Sequence, residues 1–442
     1  MKAINRMLVC LCVIGFSGLI FYSPQQLYDL ITQTPAYDFS IDWPVARILT
    51  EPFYAFALYA LNLDRNFYRP ALISWGVWIL IAVFTYCVIN KTTALYCFKR
   101  ILYAFMLFAT VLLFTVLIPL PGPKLIKPEG YVAADIHSHT MVSHDATGSA
   151  ASNLKFHELQ GFDFFFITEH NHTKGFLKFP ENERYKKVFP GVQMQTKDGV
   201  SVLLLSGQEF DGNEYKNITL SEIIEKAHQN SMLVIMPHWW KWHKFSYQEL
   251  TELGIDGFEV YNCGYRYFDA KEQSELISFC KENNLLMFGT TDWHGWGYMT
   301  DVWTVFKGDA EQNLKDQLAK KPDLKVITFR EKQWNSPARF IFEPFAAYYY
   351  YVKNADMTAL LSFMAWFGIL FTLMSSNAAK YIKSYLPAAL SLFFLGAAIY
   401  YYVISIQALE TNRIILTSVV PVLTGMSLLW FALWRMNGKD FQ

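Results

Sequence analysis

Tyr131-Val132-Ala133-Ala134-Asp135-Ile136-His137-Ser138-His139-Thr140 is an apolar run that ends on a pair of histidines. Its first part predicts a strand, Tyr131–Ile136. On an extended chain residues i and i+2 point to one side, so His137 and His139 can grip one centre together. The same holds for Asp292 and His294. Outward from this stretch the pattern repeats. Further β-rich runs stand at Phe162–Thr168, Val200–Gln208, Met232–Met236, Gly257–Tyr261 and Leu285–Gly289. Helical stretches stand between several of them, at Asn153–Gln160, Leu220–Gln229, Tyr247–Leu253 and Ala270–Glu282. The alternation predicts an α/β domain with a mainly parallel sheet.

Ligand-type residues follow five of these strands. They are His137 and His139, then Glu169 and His170, then Glu209, then His238, then Asp292 and His294. In a parallel barrel such strand ends converge on one face, where active sites are built. All 10 histidines fall between His137 and His294, which a metal site would produce directly. Imidazoles with carboxylates suit zinc, manganese or iron. Several carboxylates among them favour more than one cation, because a carboxylate can bridge two. No GxGxxG or P-loop follows a strand, so a nucleotide cradle of those types is not indicated. The six cysteines form no CxxC, which argues against a zinc ribbon. Cys263 and Cys280 read either as a disulfide or as two buried free thiols.

The flanks differ sharply from this middle. Over 442 residues, 53% are apolar or aromatic and 17% are charged. Lys plus Arg (38) balances Asp plus Glu (38), so no net field points to nucleic acid. Six stretches read as membrane spans: Met7–Tyr22, Ala71–Asn90, Ile101–Leu120, Thr358–Met374, Tyr385–Ser405 and Ile414–Trp434. The first is read as a retained anchor rather than a signal peptide. Pro52–Leu63 reads as an interfacial helix. The expected organisation is a membrane region over residues 1–123, a metal-hydrolase domain over 124–340 and a second membrane region over 341–442, with about three helices on each side. Lys2, Arg6, Lys91, Lys99, Arg100, Lys380, Lys383, Arg435 and Lys439 fall on one side of such a weave. The positive-inside rule then puts both termini in the cytoplasm and the middle domain on the periplasmic or extracellular face of a cell membrane.

The middle residues resemble the PHP (polymerase and histidinol phosphatase) superfamily of metal-dependent phosphoesterases. Asp135-Ile136-His137-Ser138-His139-Thr140 is similar to its DLHxHT opening, and Ile167-Thr168-Glu169-His170-Asn171 to its TDHN motif, with Glu for Asp. Gly207-Gln208-Glu209 is similar to its metal-bridging glutamate segment, and Gly289-Thr290-Thr291-Asp292-Trp293-His294 to its terminal SDxH motif. The resemblance covers roughly Gly130 to Lys307. It implies a distorted (β/α)7 barrel holding two or three divalent ions. The ligands it implies are His137, His139, His170, Glu209, His238, Asp292 and His294, with Glu209 bridging. One more comes from the adjacent His144 and Asp145, His144 being preferred. Catalytic roles fall to Glu209, His238 and His294.

Other residues carry weaker readings. Glu169 and Asp135 are expected to orient ligands. His157 and His228 are expected on helices as surface or packing residues. His243 is a candidate for the extra histidine of three-metal members. His172, Lys241 and Arg266 are candidates for substrate contact. The run Trp239-Trp240-Lys241-Trp242 reads as core edge, substrate mouth or lipid contact. The expected function is hydrolysis of a phosphate ester, of a small molecule or a lipid, by a metal-activated water. Hydrolysis of carboxyl or carbamate esters or amides, or a non-catalytic sensor, stand as alternatives.

Overall fold

The computed structural model describes residues 26–45, 68–117, 122–238, 244–264, 270–295, 300–329, 341–354, 357–376, 378–407 and 415–439, with a few isolated positions near the N-terminus. The chain divides into two compact units. One comprises Met1–Gln25, Val45–Leu120 and Lys332–Gln442, and the other Gln26–Pro44 and Pro121–Glu331.

The second unit is the α/β domain. Its strands are β1 (Tyr28–Asp29), β2 (Thr34–Pro35), β3 (Ser40–Asp42), β4 (Lys124–Ile126), β5 (Tyr131–Asp135), β6 (Phe164–Ile167) and β7 (Val188–Gln195). They continue with β8 (Ser201–Leu205), β9 (Leu233–Met236), β10 (Gly257–Asn262), β11 (Leu286–Thr290), β12 (Val302–Lys307) and β13 (Lys325–Thr328). Eleven of them form one sheet in the order β11-β10-β9-β8-β7-β6-β5-β12-β13-β1-β2, and β3 pairs with β4. Segment Gln26–Pro44, expected within the N-terminal membrane region, thus adds strands to this domain.

The sheet is mixed rather than parallel. β5, β6 and β7 run parallel, as do β9, β10 and β11, but β8 runs antiparallel to both neighbours. The reversal comes from a tight β7–β8 connection through Lys197-Asp198-Gly199, where Gly199 takes the left-handed φ of +76° that such a turn needs. β12 and β13 return antiparallel on the other side of β5. The sheet curls until β11 comes back against β12. There the Thr304 hydroxyl donates to the Gly289 carbonyl (2.8 Å) and accepts from its N–H (2.9 Å). No backbone ladder joins these two strands among the described residues, so of the expected distorted (β/α)7 barrel the structure shows a curled mixed sheet without closure.

The strands read as continuous apolar runs because both faces are covered. β6, β8 and β9 are buried at every position. Phe164, Phe166, Phe189, Val192, Leu203 and Phe258 form the centre of the core. Helices start where the sequence caps them. Ser149 opens Ala150–Leu159, and capping boxes of Thr219 with Glu222 and Ser246 with Glu249 open Leu220–Gln229 and Tyr247–Leu253. Cys263 and Cys280 are buried and form no disulfide.

Among the described residues of the first unit, four helices are long and apolar enough to cross a membrane: Pro70–Ile89, Ala94–Phe114, Ser384–Val403 and Thr417–Arg435. A shorter apolar stretch, Met357–Leu373, falls on the fourth expected span. Met7–Tyr22, apart from three positions, and Pro52–Leu63 lie outside the described residues.

Candidate metal centre

The site is built at the C-terminal ends of the parallel strands, and one buried carboxylate ties two of those ends together. Asp135, the last residue of β5, is fully buried. Its Oδ1 accepts the N–H of His137 and of Thr291, each at 3.2 Å, so the chain ends after β5 and β11 are tied together. Its Oδ2 accepts from the Thr291 hydroxyl and from His157 Nε2 at 3.0 Å. His157 was expected to be a surface or packing residue. It is fully buried, stacks on Phe165 with centroids 4.0 Å apart, and holds Asp135 in place.

From this tie His137 and His139 project to one side. Their Nε2 atoms lie 3.1 Å apart, and Asp292 Oδ1 stands 3.2 Å from the first and 3.3 Å from the second. The same oxygen is 3.5 Å from His294 Nδ1. Two triads meet at this carboxylate: His137, His238 and Asp292, and His139, His170 and His294. The donor atoms of each lie within 4.8 Å of one another. Imidazole nitrogens that face each other across a carboxylate oxygen are the donor set of a zinc- or manganese-type ion. His170 Nε2 is buried and makes no hydrogen bond, although Asp145 Oδ1 is only 3.3 Å away. The residues present therefore fit divalent cations.

The backbone is bent to achieve this. His238 and Asp292 both take left-handed φ, +29° and +48°. Such conformations cost on the order of 1–3 kcal/mol each and gather at functional sites. Gly264 makes room for the Asp292 carboxylate, since a Cβ there would stand 2.7 Å from Oδ2.

Two residues at the centre have no place in the expected set. Glu259, in β10, is fully buried and accepts four donors: His137 Nδ1 (2.6 Å), the Thr290 hydroxyl (2.8 Å), the His238 N–H (2.7 Å) and Asn262 Nδ2 (3.0 Å). It fixes the ring of His137 with Nε2 turned to the site, as carboxylates behind metal-binding histidines do. Gln193, in β7, places Oε1 3.2 Å from His137 Nε2 and Nε2 3.2 Å from His238 Nε2.

Glu209, expected as the bridging ligand, is not brought into any of these donor groups. It is exposed, and only its backbone N–H is engaged, donating to the Tyr185 hydroxyl at 3.0 Å. The cause is the direction of β8. Leu205 pairs with Gly191 in β7 and with Leu233 at the start of β9, so the chain leaves β8 at the rim opposite the histidines. Of the two adjacent candidates after the HxH pair, His144 lies at the rim with 66% of its side chain exposed. Asp145 turns inward, 3.3 Å from His170 Nε2 and 3.5 Å from His294 Nε2. His144, Asp145 and His170 form a third donor group. Glu169 bonds the loop between them rather than a ring of the donor groups: it accepts from the N–H of Thr140 (3.0 Å) and from the hydroxyls of Thr140 and Ser143. His172 is half-buried beside this loop, and His228 pairs with Asp256 at 3.0 Å away from the site. Lys241, His243 and Arg266 lie outside the described residues.

The electrostatics follow from burial and neighbours. Burial opposes charge on His137, but Asp292 and Glu259 outweigh it and hold the imidazole at about 9. Burial likewise opposes charge on His294, and Asp292 and Asp145 hold it at about 9. His139 is driven well below the usual histidine range by burial and by His294 and His170. Burial also lowers His170. Asp292 stays ionised despite its burial because His137 and His294 face it. Burial raises Glu169 to about 7 against its hydroxyl partners. Burial, with Lys174 and Lys216, lowers His172 to about 4.

No family model matches the chain, and no curated protein matches it. Solved structures do. A protein from Bifidobacterium adolescentis, provisionally assigned as a metal-dependent phosphoesterase, is 16% identical over 42% of this chain and 94% of its own, with a TM-score of 0.32. A two-domain protein from Bacteroides vulgatus, containing a "predicted PHP-like metal-dependent phosphoesterase", is 18% identical over 45% of this chain and 65% of its own, with a TM-score of 0.34. An amidohydrolase from Chromobacterium violaceum is 9% identical over 45% of this chain and 98% of its own, with a TM-score of 0.32.

Proposed function

We propose that this chain is a membrane-anchored, metal-dependent hydrolase of phosphate esters. The observation that carries the reading is Asp292 Oδ1, standing within 3.2–3.5 Å of His137, His139 and His294 where its own triad with His137 and His238 meets the triad of three histidines. His137, His238 and Asp292 would hold one divalent cation, and His139, His170 and His294, with Asp145 beside them, a second. The group His144, Asp145 and His170 is the place for a third. When bound, such ions lower the pKa of a water and neutralise oxygens of the reacting group.

The chain's own residues do the rest. Glu259 and Asp135 hold His137 against rotation, and Glu169 holds the loop that carries Asp145. Two divalent cations outweigh the carboxylates Asp292 and Asp145, so the loaded centre favours an anionic group over a neutral ester. Lys174 and Lys216, whose charges reach His172, extend that preference to the mouth of the site. His172, held neutral, is suited to hydrogen-bond a substrate oxygen rather than to pair with it as an ion.

The membrane reading rests on the first unit. Ile73, Ile81, Phe84 and Val88 of the helix Tyr68–Ile89 are exposed, an apolar surface that suits lipid better than water. We place the α/β domain on the outer face and both termini inside, on the charges of Lys91, Lys99, Arg100, Lys380 and Lys383. The substrate would then be a phosphorylated small molecule or a lipid-linked phosphate at that face. Purified full-length chain with Mn²⁺ or Zn²⁺ should cleave phosphomonoesters or phosphodiesters. Turnover of carboxyl esters or amides alone would overturn the phosphoester reading and leave a metal hydrolase.

A further inference from the structure

Gln193 stands where a two-metal centre would gain most from a carboxylate. Its backbone is pinned: its N–H donates to the Glu169 carbonyl (3.1 Å), and its carbonyl accepts from the Asn171 N–H (2.9 Å). Its side chain is buried and spans from His137 Nε2 to His238 Nε2, at 3.2 Å to each. A carboxylate in this position would offer an oxygen beside each of these two rings, both on the His137–His238 side. An amide has one oxygen, and its –NH₂ only donates, so beside His238 it cannot ligate. It also brings no charge. The His139–His170–His294 side has Asp145 within 3.5 Å of two of its rings as well as the shared Asp292. Among the described residues, the His137–His238 side has Asp292 as its one carboxylate ligand group, with Glu259 acting from behind His137.

We infer that the two halves of this centre bind divalent cations unequally, the His139–His170–His294 half tightly and the His137–His238–Asp292 half weakly, and that Gln193 sets the difference. The inference rests on the proposed metal site and concerns how it fills. The weak half would exchange its ion with the medium, so its occupancy would follow the external concentration of free cation.

Calorimetric titration of chelator-treated full-length chain in detergent, with Zn²⁺ or Mn²⁺ alone as the probe, tests this without any substrate. The expected result is two classes of site at least roughly tenfold apart in Kd. Gln193→Glu should tighten the weaker class by roughly 10–100-fold, the scale on which residues around a metal site alter its affinity, and leave the tighter class unchanged. His238→Ala should remove the weaker class, and His170→Ala the tighter. Gln193→Met, uncharged and of similar length, should keep the classes apart. Two equivalent sites in the wild type, or a Gln193→Glu titration identical to it, would overturn the inference while leaving the metal centre intact. Absence of any binding would overturn both.

Discussion

Glu259→Gln is the substitution whose consequences can be worked furthest from the geometry. The carboxylate is fully buried, and each of its oxygens accepts two donors: His137 Nδ1 and the Thr290 hydroxyl on Oε1, the His238 N–H and Asn262 Nδ2 on Oε2. Glutamine keeps the shape but turns one oxygen into a donor. Whichever side receives the –NH₂ then faces two donors it cannot satisfy, at about 1–3 kcal/mol for each buried group left unpaired. The hydroxyl of Thr290 can rotate away, so the smaller penalty falls on the His137 side. There the amide turns His137 out of the tautomer that presents Nε2 to the site. A net loss of about 2–4 kcal/mol follows. For a domain of this size that lowers Tm by roughly 4–16 °C. Metal affinity should fall roughly 10–100-fold, as when a carboxylate behind a metal-binding histidine is removed. The assays are differential scanning fluorimetry of the metal-free protein and Zn²⁺ titration of the variant. A variant with wild-type Tm and wild-type metal affinity would refute the role given to Glu259.

Three other expectations are narrower. His137 and His294 stand at about 9 in the metal-free fold, above the value of about 6.5 for a free histidine. Their charge therefore stabilises the metal-free fold fully below about pH 6.5 and ceases to as pH rises through 9, so its Tm should fall across that window. A cation must displace those protons, so metal affinity should rise over the same range with proton release visible in weakly buffered titrations. Glu209→Ala should leave metal content and Tm unchanged within error, whereas Asp292→Ala should lose at least one ion per chain by elemental analysis. His157→Ala should lower Tm by roughly 4–16 °C, from about 2–4 kcal/mol for a buried ring lost and Asp135 deprived of a donor, while leaving more metal bound than Asp292→Ala.

The parts of this site that lie at strand ends were legible because residue type and position coincide there. His137, His139, His170, His238, Asp292 and His294 each follow a strand that runs in the common direction. Glu209 stands apart from the donor groups for a directional reason. A ligand-type residue after β8 looks equivalent to the others until β8 is known to be reversed, and the sign of that reversal was Asp198-Gly199 between two β-rich runs. β7 itself was hard to see because Pro190 and Gly191 interrupt it, and Gln193 is not a residue type that draws notice as a ligand. Glu259 sits inside Gly257–Asn262, where alternation suggests one face to solvent, but the curled sheet turns that face onto the histidines. His144 and Asp145 are neighbours, and only the turn of the chain decides that the aspartate points inward. β1 and β3 are two or three residues long and find partners far away in sequence, at β13 and β4, which no local pattern reveals.

The triads His137–His238–Asp292 and His139–His170–His294, meeting at the Asp292 carboxylate, are proposed to hold metal. Anomalous diffraction from crystals of the full-length chain grown with Zn²⁺ tests it most directly. The account predicts a peak about 2.0–2.2 Å from the ring nitrogens of His139, His170 and His294, and a second, of lower occupancy, among His137, His238 and Asp292. No anomalous peak at either triad under saturating Zn²⁺ would contradict it.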